Sequence, residues 1–362
     1  MPSNKNQHYV PRCHLKPFTL HEDGLAIKLF NIDRAITIEN APVKNQCSRD
    51  YFYGQNEGLE KAIQTMEGKY SDVARGIRSH RSLNDSDALF LASFWMFQYL
   101  RTEAIQQSII RTSQAFEKAI GQPAPQIRIN KEEATIAALR AFLEQYMALA
   151  DLGVVQVHNR TNVSFVTSDN PAIQTNRWAL SQTTRMSANF GMLSAGFIGL
   201  LPISPVVLVL LYDKGIYSIE HQNRCITVKD EPDIQSLNDH QLLNCISNIY
   251  FAGDLENRVH RVLPEVKARR AVSGEKVHIF TKRPGGEDNH YYRADKLDTS
   301  VAGKAMFATS TYFPRPLAWP SFLHWRTGGY YFYNGSGVGQ VRKAHAFDRI
   351  GDAPFRKIKT GH

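Results

Sequence analysis

The residues of this 362-residue chain that could do chemistry come in short, separated groups. His8 and Arg12 lie in the run Gln7-His8-Tyr9-Val10-Pro11-Arg12. An imidazole titrates near neutral pH and a guanidinium stays charged, so the two read as an acid–base group and an anion clamp beside a phosphate. They read equally well as polar ties between the N-terminus and the body. Glu60 and Glu67 share one face of a helix about 10 Å apart along its axis, too far for one metal ion. They suit separate places in a site or, with Lys61 and Lys69 beside them, a solvated flank. Gln98 and Arg101 stand in an oily stretch, where an unpaired guanidinium is very costly, so Arg101 requires a buried acid or a ligand anion. Asp169 follows the strand-like run Val163–Thr167 and precedes Asn170-Pro171, whose proline drives Asn170 out of the helical region. A carboxylate fixed there can orient a metal, a water or a basic side chain, or can hydrogen-bond its own turn.

The elements that must hold these groups follow from spacing. Pro11 opens a short helix that Pro17 ends, and Ala26–Phe30 with Ala35–Ile38 form a hairpin. Leu59, Ile63, Met66, Tyr70, Val73 and Ile77 recur at helical spacing and make one buried seam. Asn84-Asp85-Ser86 introduces a second helix from Asp87 to about Ala119, apolar nearly all round and therefore central. A third covers Lys131–Ala150. Val154–Val157 and Val163–Thr167 are expected as a hairpin that delivers Asp169, followed by strands at Val206–Leu211, Gly215–Ile219 and Cys225–Val228. Leu237–Tyr250 is expected as a closing helix. Beyond it, Val277–Thr281, Ala305–Thr311 and Tyr330–Tyr333 read as strands, with Asn334-Gly335-Ser336-Gly337 turning the last into Val338–Val341. The expected fold class is α+β: a helical N-terminal body with antiparallel strands over 1–255, and a smaller β-rich module over 256–362.

Composition narrows the function classes. A hydrophobic content of 43% supports real cores. The four cysteines, Cys13, Cys47, Cys225 and Cys245, are scattered and spell neither a zinc knuckle nor a disulfide framework, which fits a reducing cytoplasm. The first residues lack the apolar core of a signal peptide. Ser187–Tyr212 carries no charge, but Pro202, Pro205 and three glycines interrupt it, so a buried strand is expected there and no membrane span. Neither a GxGxxG nor a Walker loop occurs. Residues 257–362 hold 19 Lys and Arg against 8 Asp and Glu, whereas residues 1–256 hold 24 against 26. The basic last third points to a polyanionic partner, nucleic acid first. Lys282, Arg283, Arg293, Trp325, Arg326, Arg356 and Lys357 interleave cations with aromatics as single-strand binders do. They also fit a small domain that uses aromatics as core and charge for solubility.

The opening Gln7–Arg12 run, Leu59-Glu60 with Glu67, Gln98 with Arg101-Thr102, Thr167–Pro171, Pro202-Ile203-Ser204-Pro205 and Asn238 together resemble an uncharacterised, mostly bacterial family catalogued as domain of unknown function 4238. The resemblance covers roughly residues 5 to 255. Where such members show an aromatic pair after the opening Arg, this chain has Cys13-His14. The resemblance implies no reaction; it implies that His8, Arg12, Glu60, Glu67, Arg101 and Asp169 are a shared polar set. The expected function is a phosphodiester-hydrolysing, nucleic-acid-processing enzyme related to a toxin or phage-defence system. In it His8, Asp169, Glu60 and Glu67 are catalytic, and Arg12, Gln98, Arg101 and Asn170 bind substrate. A divalent metal is compatible with the carboxylates. The competing expectation is a non-catalytic binding module whose motif residues form a structural polar network.

Overall fold

The structure is a computed structural model that describes residues 5–120, 128–182, 190–253, 255–271, 274–282, 291–294, 305–335, 339–346 and 354–361. Within 271–312 it describes backbone pairing alone. The described elements are, in chain order, β1 (Asn6–His8), α1 (Arg12–Leu15), β2 (Ala26–Asn31), β3 (Ile36–Pro42), β4 (Ser48–Asp50), α2 (Glu57–Arg78), α3 (Asp85–Leu100), α4 (Glu103–Ile120), α5 (Lys131–Gln145), β5 (Gly153–Asn159), β6 (Thr167–Ser168), β7 (Ile173–Thr175), α6 (Arg177–Ser181), β8 (Ile198–Ser204), β9 (Val207–Tyr212), β10 (Tyr217–Ser218), β11 (Cys225–Val228), α7 (Glu231–Asn244), β12 (Asn248–Phe251), α8 (Glu256–Ala271), β13 (Gly274–Lys282), β14 (Tyr291–Ala294), β15 (Ala305–Tyr312), β16 (His324–Trp325), β17 (Tyr330–Tyr333) and β18 (Arg356–Lys359). The class is mixed α+β.

The uncharged stretch Ile198–Tyr212 forms β8 and β9, every residue of which is buried except at the intervening turn. They lie in a five-stranded sheet of order β11-β5-β9-β8-β7, antiparallel but for the β11–β5 pair. No described helix is long and apolar enough to cross a membrane. A second sheet, β3-β2-β12-β6, is antiparallel throughout.

α3, apolar on every side, lies at the centre, as its lack of a polar face demands. The Trp95 indole donates to the Leu200 carbonyl at 3.0 Å, tying α3 to β8. Phe94 stacks on Tyr70 of α2 with ring centroids 3.9 Å apart, and Phe97 packs on Phe142 of α5. Asn84 caps α3 and Asn56 caps α2, each accepting from the backbone N–H three residues on.

The structure departs from the sequence expectations in four places. The single helix expected over 87–119 breaks at Arg101-Thr102 into α3 and α4, and the break turns Arg101 inward. The expected hairpin of 154–157 with 163–167 does not form: β5 pairs with β9 and β11, whereas Thr167-Ser168 pairs with β12 in the other sheet. The helix expected at 237–250 runs instead over 231–244, started by Pro232 in its first turn, and 248–251 is the strand β12. β17 takes β18 as its partner, and among the described residues one bridge, Phe332 to Val341, joins it to the segment expected to pair there.

Beyond residue 255 the chain stays in contact with the body. Leu323 and Trp325 join the apolar cluster of the five-stranded sheet, Ser321 donates to Asp233 of α7, and β16 pairs with β10. β13, paired on both edges with β14 and β15, lies against α4.

Candidate functional site

The polar N-terminal motif builds one wall of an open cleft. β1 pairs antiparallel with β4, setting His8 opposite Ser48, and Gln7 anchors the neighbouring loop. Its side chain accepts from the Tyr53 N–H at 2.7 Å and donates to the Gly54 carbonyl at 2.9 Å. α1 then carries Arg12 and Cys13 to the same opening, and α2 supplies the opposite wall with Glu60, Ile63, Gln64, Glu67, Gly68 and Ser71. The cleft has a volume of about 350 Å³. It brings together His8, Arg12, Glu60 and Glu67, four of the groups singled out in the sequence.

Arg101 stands behind this cleft and holds it. Its guanidinium is fully buried and donates to Glu67 Oε1 at 2.6 Å, to the His8 carbonyl at 2.6 Å and to the Tyr53 hydroxyl at 2.8 Å. The required partner of the buried cation is therefore Glu67, whose carboxylate is 24% exposed and reaches into the cleft wall. One guanidinium thus fixes a side chain of α2, the backbone of β1 and the loop after β4. Burial pushes the Tyr53 hydroxyl up to about 12, against the pull of Arg101, so it stays protonated.

His8 is held below the ordinary imidazole value by burial and by the Arg12 guanidinium, with a smaller push from Arg101; the backbone at Val43 and Lys44 acts the other way. Its Nε2 is buried without a hydrogen-bond partner. Arg12 is exposed, and its guanidinium makes no hydrogen bond or ion pair among the described residues. The cleft thus holds a neutral imidazole beside an unpaired cation and a carboxylate whose orientation is set from behind. Cys13 also lines it, but burial drives its thiol up to about 12, which leaves little thiolate for nucleophilic work.

The other motif residues serve elsewhere. Asp169 does not line the cleft. It is 4% exposed, and its carboxylate accepts from the backbone N–H groups of Ile246, Ser247 and Asn248 at 2.7 to 2.8 Å, closing the turn between α7 and β12. Burial raises its carboxyl to about 6 in spite of those three donors. Asn170 donates to the Asn244 carbonyl, and Gln98 donates to the Tyr9 carbonyl deep in the core. Asn238 bridges the backbone of Ser164 and Val166. Among the described residues no group of three or more His, Cys, Asp or Glu is placed to hold a metal ion.

The basic C-terminal candidates separate as well. Trp325 stacks on Tyr217 with centroids 5.5 Å apart, meets Trp178 edge-on, and has the Arg177 guanidinium 4.7 Å from its ring, so its aromatic surface is used within the fold. Arg326 is exposed and donates to the Lys214 carbonyl. Arg356 and Lys357 lie exposed on β18, with the Lys357 ammonium 4.1 Å from the Tyr330 ring centre. Lys282 ends β13, Arg293 pairs opposite Phe280, and Arg283 lies outside the described residues. Sequence reasoning passed over Tyr53, Gln7 and Gln64; the run Tyr51-Phe52-Tyr53-Gly54 before α2 was the only available signal for the first.

The chain belongs to the family described as protein of unknown function (DUF4238), whose model matches residues 6–254. The match takes in the whole cleft. No curated protein and no solved structure matches the chain.

Proposed function

We propose that the cleft between β1, α1 and α2 binds a phosphodiester of a nucleic acid and hydrolyses it. One observation carries this reading. The cleft wall combines His8, neutral and with a buried Nε2 that has no partner, the unpaired guanidinium of Arg12, and Glu67 locked in place by Arg101. In the proposed step, Arg12 donates to the non-bridging phosphate oxygens and offsets their charge. Glu67 orients a water by accepting from it. His8 takes a proton from that water as its oxygen bonds to phosphorus, the ester P–O bond breaks, and the departing alkoxide takes a proton from solvent. A phosphate beside His8 counters the two arginines and favours the protonated imidazole, so the base strengthens once substrate is bound. Glu60 stands on the same helix face as Glu67, two turns nearer the N-terminus of α2, and also lines the cleft.

The reading assigns no chemistry to Asp169, Asn170, Gln98 or Arg101. Their hydrogen bonds run to backbone and to neighbouring side chains, which favours the structural-network reading for those four. The four cysteines are unpaired, the state that a reducing cytoplasm maintains.

The test is cleavage of end-labelled single-stranded RNA and DNA by the full chain and by His8→Gln and Arg12→Ala. His8→Gln should lose about a hundredfold or more in rate, the usual share of a general base, with its melting temperature unchanged. Arg12→Ala should weaken substrate binding. Cleavage by His8→Gln at the parental rate, or none by the parent protein across the panel, overturns the proposal.

A further inference from the structure

A second cleft, of about 330 Å³, lies among the turn after β9, the loop between β16 and β17, and the segment following Val341. Its lining includes Lys214, Arg326, Lys343 and Tyr330, with Asp151, Asp213 and Arg342. Both carboxylates are hydrogen-bonded within the cleft wall, and neither forms an ion pair with the three outer cations among the described residues. Asp151 accepts two hydrogen bonds from Arg342, at 2.8 and 3.0 Å, and that pairing, with His345, holds its carboxyl well below the usual range against the cost of burial. Asp213 accepts from the N–H groups of Gly196 and Gly215 at 2.8 and 2.7 Å. Arg342, itself buried, also donates to the carbonyls of Ala148, Met192 and Ser194, so it belongs to the wall.

Lys214 and Lys343 are exposed, and neither ammonium makes a hydrogen bond or ion pair among the described residues. Arg326 uses one nitrogen on the Lys214 carbonyl, which fastens the two loops together. The backbones beneath Lys214 and Arg326 are hydrogen-bonded to each other. Gly215 and Gly329 approach so closely that a Cβ on Gly329 would lie 3.1 Å from the Gly215 carbonyl oxygen and 2.8 Å from Thr360 Oγ1. The Tyr330 N–H donates to the Gly215 carbonyl at 2.9 Å, and the Arg326 N–H to that of Ile216 at 2.9 Å. Three cations with spare donors therefore surround one concavity, and Lys357, over the Tyr330 ring, adds a fourth charge beside it. Like charges gathered around one concavity repel one another, and an anion that binds there relieves that repulsion, which offsets part of the cost of ordering the lysine side chains.

We propose that this second cleft binds phosphate groups of a nucleic-acid strand, through Lys214, Arg326 and Lys343. The strand's phosphates displace counterions and receive donors from three separate loops, so the contact positions the strand without reading its sequence. The site rests on its own geometry and stands whether or not the first cleft is catalytic. Of these three residues, the charge distribution along the sequence covers Arg326 and Lys343, both in the basic last third, and only Arg326 is among the nucleic-acid contacts expected there. Lys214 lies in a segment of nearly balanced charge and reaches the cleft only through the fold.

Binding of a labelled, uncleavable single-stranded oligonucleotide to the full chain tests this, measured by fluorescence anisotropy over a range of salt. The comparison is with Lys214→Ala/Lys343→Ala and with Lys229→Ala/Arg34→Ala, which removes the same charge from exposed positions outside either cleft. The first double variant should bind about tenfold or more weakly and lower the salt slope by about 1.4, two contacts' worth for a single strand. The second should stay within about twofold of the parent, as a loss of distant charge alone requires. Equal loss in both variants, or no binding by the parent at low salt, overturns the proposal. Inorganic phosphate is a separate arm, read as a shift in melting temperature. If it stabilises the parent but not Lys214→Ala/Lys343→Ala while the oligonucleotide fails to bind, the ligand is a free phosphate ion and the strand assignment fails. Lys214→Ala/Lys343→Ala leaves His8, Arg12 and Glu67 of the first cleft in place, so a binding loss in that variant reports the second cleft and not the first.

Discussion

Removing Glu67 should destabilise the protein more than removing its partner Arg101, although the two share one ion pair. The asymmetry comes from where each charge is left. Arg101 has no exposed side-chain surface and Glu67 has 24%. In Glu67→Ala the guanidinium stays buried with only the His8 carbonyl and the Tyr53 hydroxyl as acceptors. Breaking a buried pair in this way costs about 3–5 kcal/mol; partial exposure of the carboxylate places this case toward the lower end, about 3 kcal/mol. In Arg101→Met the carboxylate can hydrate through the cleft, and the apolar side chain fills the space. The remaining loss is that of hydrogen bonds to the His8 carbonyl and Tyr53, about 1–2 kcal/mol. Glu67→Ala/Arg101→Met should cost less than the sum of the single changes by about 1 kcal/mol or more, as contacting residues do. Urea denaturation of the four proteins, fitted with a common slope, gives each value. If Glu67→Ala lies within about 0.5 kcal/mol of the parent, as an ordinary surface change would, the assignment of Arg101 as the buried post of the cleft is refuted.

Three further outcomes follow from other groups. Asp169→Asn should lose about 1–3 kcal/mol, because an amide has one acceptor oxygen where Ile246, Ser247 and Asn248 present three N–H groups; thermal melts check this, with oligonucleotide binding at the second cleft retained. Burial depresses His14 from 6.5 to about 3 and His240 from 6.5 to about 4, so the unfolded chain binds more protons between pH 6.5 and about 4 and stability falls as pH falls through that window. The buried carboxyls Asp169, raised from 3.8 to about 6, Asp213 and Asp239 act oppositely at lower pH, while His8 and His158, also lowered by burial, add to the imidazoles; denaturation midpoints should therefore decline as pH falls from 7 to about 6, and less steeply in His14→Gln. Cys13, with its thiol pushed up to about 12, should resist iodoacetamide in the native protein at neutral pH, and Cys13→Ser should keep any hydrolytic activity, as measured by mass spectrometry and the cleavage assay.

The first cleft was legible in the sequence because its parts are local. His8 and Arg12 sit on one short run ended by prolines, and Glu60 and Glu67 sit on one helix whose apolar spacing is regular. What sequence could not convey was pairing between distant segments. The close approach of Val154–Val157 and Val163–Thr167 in sequence suggests the two arms of a hairpin. Both segments instead find partners far along the chain, β9 and β11 for one and β12 for the other, and this carries Asp169 away from the cleft. The helix break at Arg101 was hidden too. Leu100 to Glu103 contains no glycine or proline, and the break is sustained by the hydrogen bonds of a buried guanidinium that only the tertiary fold supplies. The true start of helix α7 has a local signal in Pro232, a good first-turn residue, whereas Asn238, next to the expected start at Leu237, lies inside the helix and bonds to the segment beside it.

The most direct test of the central claim is the titration of His8, followed through its ring C–H resonance in the full chain with and without a non-hydrolysable phosphodiester. Without ligand, His8 should titrate below 6.5, held down by burial and by Arg12. With ligand bound, its midpoint should move upward, and in Arg12→Ala the free value should rise while the ligand-induced shift shrinks. A His8 midpoint that is the same with and without the phosphodiester, in a sample where other cleft resonances show the ligand bound, contradicts the account.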